Sequence, residues 1–185
     1  MIRPATVRDV PAIAALINVF AERGIMLFRS HANLYETVRD FVVLEENREI
    51  SGVCGLEIVW SDLAEVRSLA VAPGHQGRGI GRRLVEACVA EARRLEIPRV
   101  FTLTYERAFF EKSGFCVVEK SALPQKVWSA CIKCPKRLAC DEIAMMRTLF
   151  EAPPVDVEEL ASLRYEVPTP LVQLNVTSEP RPAGG

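Results

Sequence analysis

The spacing of hydrophobic positions changes several times along the chain, and each change predicts a new element. Ile2 to Thr6 reads as a short first strand. Val10, Ile13, Ala14, Ile17 and Ala21 then recur at helical spacing, with Asp9 as a predicted N-cap and Gly24 as the stop. A shorter helix is predicted over Ala32 to Arg39. Phe41 to Leu44 and Ile50 to Trp60 form a predicted hairpin, with a bulge or bend expected near Gly52 and Gly55. Glu65 to Val71 is the next strand. The following helix, Gly79 to Leu95, presents Leu84, Val85, Cys88, Ala92 and Leu95 on one face before Pro98. Val100 to Thr104 is rich in β-formers, and the intervening helix makes it a parallel neighbour of the Glu65 strand. A short helix over Ala108 to Lys112, a strand over Phe115 to Glu119 and a last strand within Glu142 to Phe150 complete the pattern. The fold class is α+β, a mixed sheet with helices. Residues 1–150 form the expected domain, and 151–185 a proline-rich extension.

Composition narrows the function classes. The 185 residues carry 23 Lys+Arg against 24 Asp+Glu, a formal net charge of -1, and so lack the basic excess of a general nucleic-acid binder. No apolar run approaches the ~18 residues of a membrane span. The N-terminal stretch places Arg8 and Asp9 where a signal peptide has its apolar core, so a cytoplasmic location is expected. Cys54, Cys88 and Cys116 lie among apolar neighbours and read as core. Cys131, Cys134 and Cys140 begin like a zinc set but lack a fourth ligand, so no metal is assigned.

The candidate chemistry centres on Glu65 to Leu84, a strand, a tight turn and the glycine-rich entrance to a helix. Such a turn aims backbone N–H groups at an anion. A P-loop fails, because Ile80-Gly81 follow Gly74 and Gly79 where Lys-Ser/Thr is needed. A dinucleotide fingerprint fails too, because Arg82 stands where the third glycine belongs. The remaining pattern, Gln76-Gly77-Arg78-Gly79-Ile80-Gly81, resembles the coenzyme A turn of the GNAT N-acetyltransferases. Leu69-Ala70-Val71-Ala72-Pro73 before it and Phe110-Glu111-Lys112-Ser113-Gly114-Phe115 after it match the same family.

The resemblance implies two central parallel strands that splay apart, with acetyl-CoA as co-substrate between them. Gln76, Gly77, Arg78, Gly79, Gly81 and Arg82 would take the pyrophosphate. Leu69, Ala70 and Val71 would line the pantetheine, and the Leu69 amide would donate to the thioester carbonyl. Phe110 replaces the tyrosine that serves many relatives as general acid. Tyr105 could substitute, or could simply pack. Glu65, eleven residues before Gln76, stands where several relatives carry a glutamate base; its alternatives are a solvated strand end or a partner for Arg67.

A closer resemblance, to stand-alone bacterial N-acetylglutamate synthases, rests on Met26-Leu27-Phe28-Arg29-Ser30, Tyr35 to Phe41, Asp62 to Leu69 and Leu123 to Pro135. It implies acetyl transfer to the α-amine of glutamate, in the first step of arginine synthesis. Arg29, Ser30, Arg67, Lys126 and Lys133 become candidate contacts for the two carboxylates. The expected partner is therefore a small-molecule amine, with neither nucleic acid nor membrane, and a homodimer as one allowed assembly. Two other readings stand beside it: acetylation of another amine, such as a protein N-terminus, and a non-catalytic acyl-CoA-binding module.

Overall fold

The computed structural model describes residues 1–123 and 140–151. Seven strands form one sheet in the order β1-β2-β3-β4-β5-β7-β6. In chain order the elements are β1 (Ile2–Pro4), α1 (Val10–Glu22), α2 (His31–Glu36), β2 (Phe41–Glu46), β3 (Glu49–Trp60), β4 (Leu63–Val71), α3 (Ile80–Arg94), β5 (Arg99–Thr104), α4 (Arg107–Lys112), β6 (Cys116–Val117) and β7 (Ile143–Thr148). All neighbouring pairs are antiparallel except β4 and β5, which run parallel. The α+β mixed sheet expected from the sequence is what forms.

The two sheet faces carry separate cores. Val10, Ile13, Ile17 and Phe20 of α1 pack with Phe41, Val43, Val53 and Ala70. Ile80, Leu84, Val85, Cys88 and Val89 of α3 pack with Leu44, Cys54, Ala64, Val66 and Val100 on the other face. Each large apolar side chain so buried contributes about 1.5–3 kcal/mol before the entropy of ordering is set against it. Leu95, predicted on the buried face of α3, is 40% exposed, because the helix stops at Arg94 and Leu95 is already its C-cap. Cys54 and Cys88 are buried as expected, whereas Cys116 is exposed on the edge strand β6.

Several boundaries moved for local reasons. Asp9 precedes α1 but does not cap it with its side chain. Its carboxylate instead accepts from Arg3 at 2.7 and 2.9 Å and from the Thr6 amide at 2.7 Å, tying β1 to the helix start. The Arg3 guanidinium accordingly holds Asp9 well below the usual carboxylate range. The second helix ends at Glu36, where Thr37 donates its hydroxyl to the Asn33 carbonyl. The β2–β3 hairpin turns through Asn47 and Arg48, both at positive φ, the backbone of a two-residue turn that matches strand twist.

One irregularity organises the site. In the β3–β4 ladder, Gly55 pairs with Arg67 but Val53 pairs with Ala70, so Cys54 faces both Ser68 and Leu69. This is a two-on-one bulge in β4, and Ser68 adopts φ 52° to make it. The extra residue reverses the alternation of side chains. Ala64 and Val66 belong to the α3-side core, Leu69 and Val71 join that same core, and Ala70 crosses to the α1 side. The expected irregularity near Gly52 and Gly55 is present, but the inserted residue belongs to β4. Residues 124–139 and 152–185, which include Lys126, Lys133, Cys131, Cys134 and the proline-rich extension, lie outside the described residues.

Candidate active site

The parallel pair β4–β5 keeps register only for Leu63, Ala64 and Glu65 against Arg99, Val100 and Phe101. Beyond Glu65 the strands part, and a cleft of about 800 Å³ opens between them. Leu69 and Val71 line it from β4, Thr102 and Thr104 from β5, and Ile80 to Arg82 from the start of α3. Its far end reaches Met26, Leu27 and Arg29 in the loop between α1 and α2. The cleft thus joins the bulge, the glycine turn and that loop.

The glycine turn is shaped by backbone geometry. Gly77 and Gly79 sit at φ 75° and 74°, conformations that side-chain-bearing residues adopt at a cost. Gly79 is the N-cap of α3, and the first helical bond runs from the Arg83 amide to its carbonyl at 3.1 Å. The amides before Arg83 therefore have no helical acceptor and concentrate partial positive charge at the cleft. Arg82 lines the same space. Arg78 turns the other way, with Nη1 3.7 Å from Glu46, and Gln76 donates its side-chain amide to the Val71 carbonyl at 3.2 Å. Ala70 faces the α1 core.

Glu65 lies at the point of splay, partly covered and open to the cleft. Burial pushes its carboxyl from the ordinary 4.5 up to about 7, opposed by Arg67 and Arg29 and reinforced by Glu57 and Glu142. Arg67, two residues along the same face, is ion-paired with Glu57 and lies 3.4 Å from Asp40. A substrate carboxylate at Arg67 would therefore compete with two carboxylates already there. Its Nε is buried without a hydrogen-bond partner among the described residues, as is that of Arg29. Arg29 uses Nη1 to hold the Asn33 side chain at 3.0 Å. Burial and the nearby Arg67 charge pull its pKa below the usual guanidinium value. Ser30 is the N-cap of α2, its hydroxyl accepting from the Asn33 amide at 3.2 Å.

Tyr105 follows β5 at the cleft wall and donates its hydroxyl to Asp141 at 2.8 Å. Phe110 is buried edge-on between Phe109 and Phe115, with ring centres 5.0 and 5.2 Å away. It closes the cleft floor and brings no proton. Among the described residues no group of three or more His, Cys, Asp or Glu is arranged to hold a metal ion. No described helix is long and apolar enough to cross a membrane.

Sequence reasoning missed Glu57, Asp40, Asn18, Asn33, Thr102 and Glu142. Glu57 had a usable signal in the hairpin register, which places it opposite Glu65. Thr102 and Thr104 also had one, as polar residues alternating through an otherwise buried strand. Asn18 and Asn33 had none, because their partners are reached only through the fold of the intervening loop.

The chain matches the Acetyltransferase (GNAT) family over residues 14–115. It is 43% identical to an uncharacterized N-acetyltransferase of Chlorobaculum tepidum over 148 residues, which cover 80% of this chain and 96% of that one. An amino-acid acetyltransferase of Mycobacterium tuberculosis is 37% identical over 131 residues, 69% of this chain and 75% of the relative. Among solved structures, a Mycobacterium tuberculosis protein in complex with CoA and NLQ aligns with TM-score 0.70 and 32% identity, over 81% of this chain and 99% of that one. The N-acetylglutamate synthase of Neisseria gonorrhoeae, complexed with coenzyme A and N-acetyl-glutamate, aligns with TM-score 0.75 and 30% identity. That match covers 82% of this chain but 35% of the Neisseria protein, so the chain spans about a third of its length. The splayed parallel strands, the glycine turn on the helix N-terminus and these matches lead to one statement: the chain belongs to the GNAT family of acetyl-CoA-dependent N-acetyltransferases.

Proposed function

We propose that this chain transfers the acetyl group of acetyl-CoA to the α-amine of L-glutamate. One observation carries the reading: Glu65, poised near 7, shares its cleft with the half-buried guanidinium of Arg29, for which the described residues supply no ion-pair partner within 4 Å. An α-amine is mostly protonated at neutral pH, because its pKa is near ~8. A carboxylate that ionises close to neutrality is matched to removing that proton, while an adjacent cation holds the α-carboxylate. The similarity to relatives named amino-acid acetyltransferase and N-acetylglutamate synthase supports the same choice of acceptor.

In this reading the amides of Gly77 to Gly81 and the Arg82 side chain hold the pyrophosphate. Arg78 can join them after leaving Glu46, since an exposed ion pair is worth only ~0–1 kcal/mol. The Gln76 amide joins the pyrophosphate cradle, and Ala70 and Val71 supply backbone for the pantetheine arm. The neutral amine attacks the thioester carbon, and the carbonyl oxygen gains charge where the amide of Leu69, which has no register partner in β3, would donate. The C–S bond then breaks. The proton left on nitrogen goes to the departing thiolate, directly or through Tyr105, whose hydroxyl must first leave Asp141. Phe110 excludes water beside the thioester.

Arg67 is committed to Glu57 and Asp40, so its part is to offset those carboxylates beside the acceptor. Ser30 acts through the helix it caps. Lys126 and Lys133 are further candidates for the second carboxylate.

The test is thiol release from acetyl-CoA with each amino acid and with peptides bearing free N-termini. Glutamate should give the highest kcat/KM. Preference for a peptide would assign another acceptor, and binding of acetyl-CoA without thiol release from any amine would remove the enzymatic reading.

A further inference from the structure

The residue that would recognise the acceptor is held at its backbone by one asparagine and at its guanidinium by another. Asn18, in the third turn of α1, donates Nδ2 to the Arg29 carbonyl at 3.0 Å and accepts from the Arg29 amide on Oδ1 at 3.0 Å. A single amide group thereby imitates one rung of a β-ladder and fixes the backbone of residue 29 against the helix. At the other end, Asn33 accepts from Arg29 Nη1 at 3.0 Å. Asn33 is itself placed by the Ser30 cap on its amide. The loop has few other anchors, since Ile25, Leu27 and Phe28 are 49%, 42% and 70% exposed and Met26 alone of them packs on the α1-side core.

Resting on the reading of Arg29 as the carboxylate contact, we infer that Asn18 and Asn33 are positioning residues that set acceptor affinity. The physical reason is the entropy of an arginine. A free guanidinium samples many rotamers, and each must be surrendered when a carboxylate binds. Here the backbone and one terminal nitrogen are fixed in advance, while Nε remains buried and unspent. The asparagines are neutral, so they orient the charge without cancelling it, in contrast to the carboxylates that occupy Arg67. This contrast divides the two arginines of the cleft: Arg67 is neutralised in place, and Arg29 is presented.

The experiment compares steady-state kinetics of the wild type with Asn18→Ala, Asn33→Ala, Arg29→Ala and Arg29→Ala/Asn33→Ala, using glutamate and acetyl-CoA. Both asparagine variants should raise the KM for glutamate about tenfold and leave the KM for acetyl-CoA within twofold. Asn33→Ala should add nothing in the Arg29→Ala background, because its effect passes through that side chain. Asn18→Asp, which keeps the acceptor and loses the donor, serves if Asn18→Ala does not fold, and should show an intermediate rise. If Arg29→Ala raises the glutamate KM but the asparagine variants do not, the inference is wrong. If both KM values rise together, the asparagines are merely structural. An unchanged glutamate KM in Arg29→Ala would instead overturn the underlying reading.

Discussion

Glu57 stands directly opposite Glu65 in the antiparallel register of β3 and β4, two carboxylates on one face of the sheet. Like charges so placed disfavour joint ionisation, and Glu57 adds to the burial that lifts Glu65 to about 7. Glu57→Gln removes that repulsion and leaves Arg67 shared with Asp40 only, so more of its charge acts on Glu65. Both effects have the same sign. The acidic limb of the kcat/KM profile should move to lower pH, by up to about one unit, and a limb that stays in place would show that burial alone sets the base.

Glu65→Gln separates chemistry from stability. Loss of the base should lower kcat by about 10²-fold or more and flatten the rise in rate through neutral pH. The stability effect runs the other way. Folding raises this carboxyl from 4.5 to about 7, so the folded protein keeps the proton longer than the unfolded chain. The associated stability is fully present below pH 4.5 and is lost as pH rises through about 7. Above that window the glutamine variant should be more stable than the wild type by about 1–3 kcal/mol, with little difference under acidic conditions. Thermal melts at the two pH values check the sign.

The glycine turn should fail through its backbone, with no role for crowding. A Cβ at Gly79 or at Gly74 would meet nothing within 4 Å, but only Gly79 has a positive φ. Gly79→Ala should therefore cost about 1–2 kcal/mol and weaken acetyl-CoA binding, whereas Gly74→Ala should be nearly neutral. Calorimetric titration with CoA distinguishes them, and equal losses would contradict the assignment of the turn.

Tyr105→Phe tests the departure of the thiolate. If the phenol returns the proton, kcat should fall about tenfold or more with both KM values unchanged. Retention of kcat would mean that the thiolate leaves unaided, as its ordinary acidity near ~8.5 allows.

The glycine turn, the parallel strands and the core faces of α1 and α3 were legible because each is a local pattern: a motif, a period or a turn residue. The face on which each β4 residue lies was not. Regular alternation would put Glu65, Arg67, Leu69 and Val71 together, and only the bulge at Ser68 sends the last two to the α3 side. The neutralisation of Arg67 was hidden for a related reason, since Asp40 reaches it across 27 positions of chain. Arg29 was legible as a residue but not as a device. Its presentation depends on Asn18 and Asn33, whose partners lie eleven and four positions away in a loop without periodic pattern.

The most direct test is the ratio of kcat/KM for L-glutamate to that for its α-amide, which keeps the amine and side-chain carboxylate but removes the α-carboxylate. A charge-assisted bond to a half-buried guanidinium is worth about 1.5–3 kcal/mol, so glutamate should be preferred by roughly 10- to 150-fold. Equal efficiency for the two compounds would contradict an amino-acid acceptor held at Arg29.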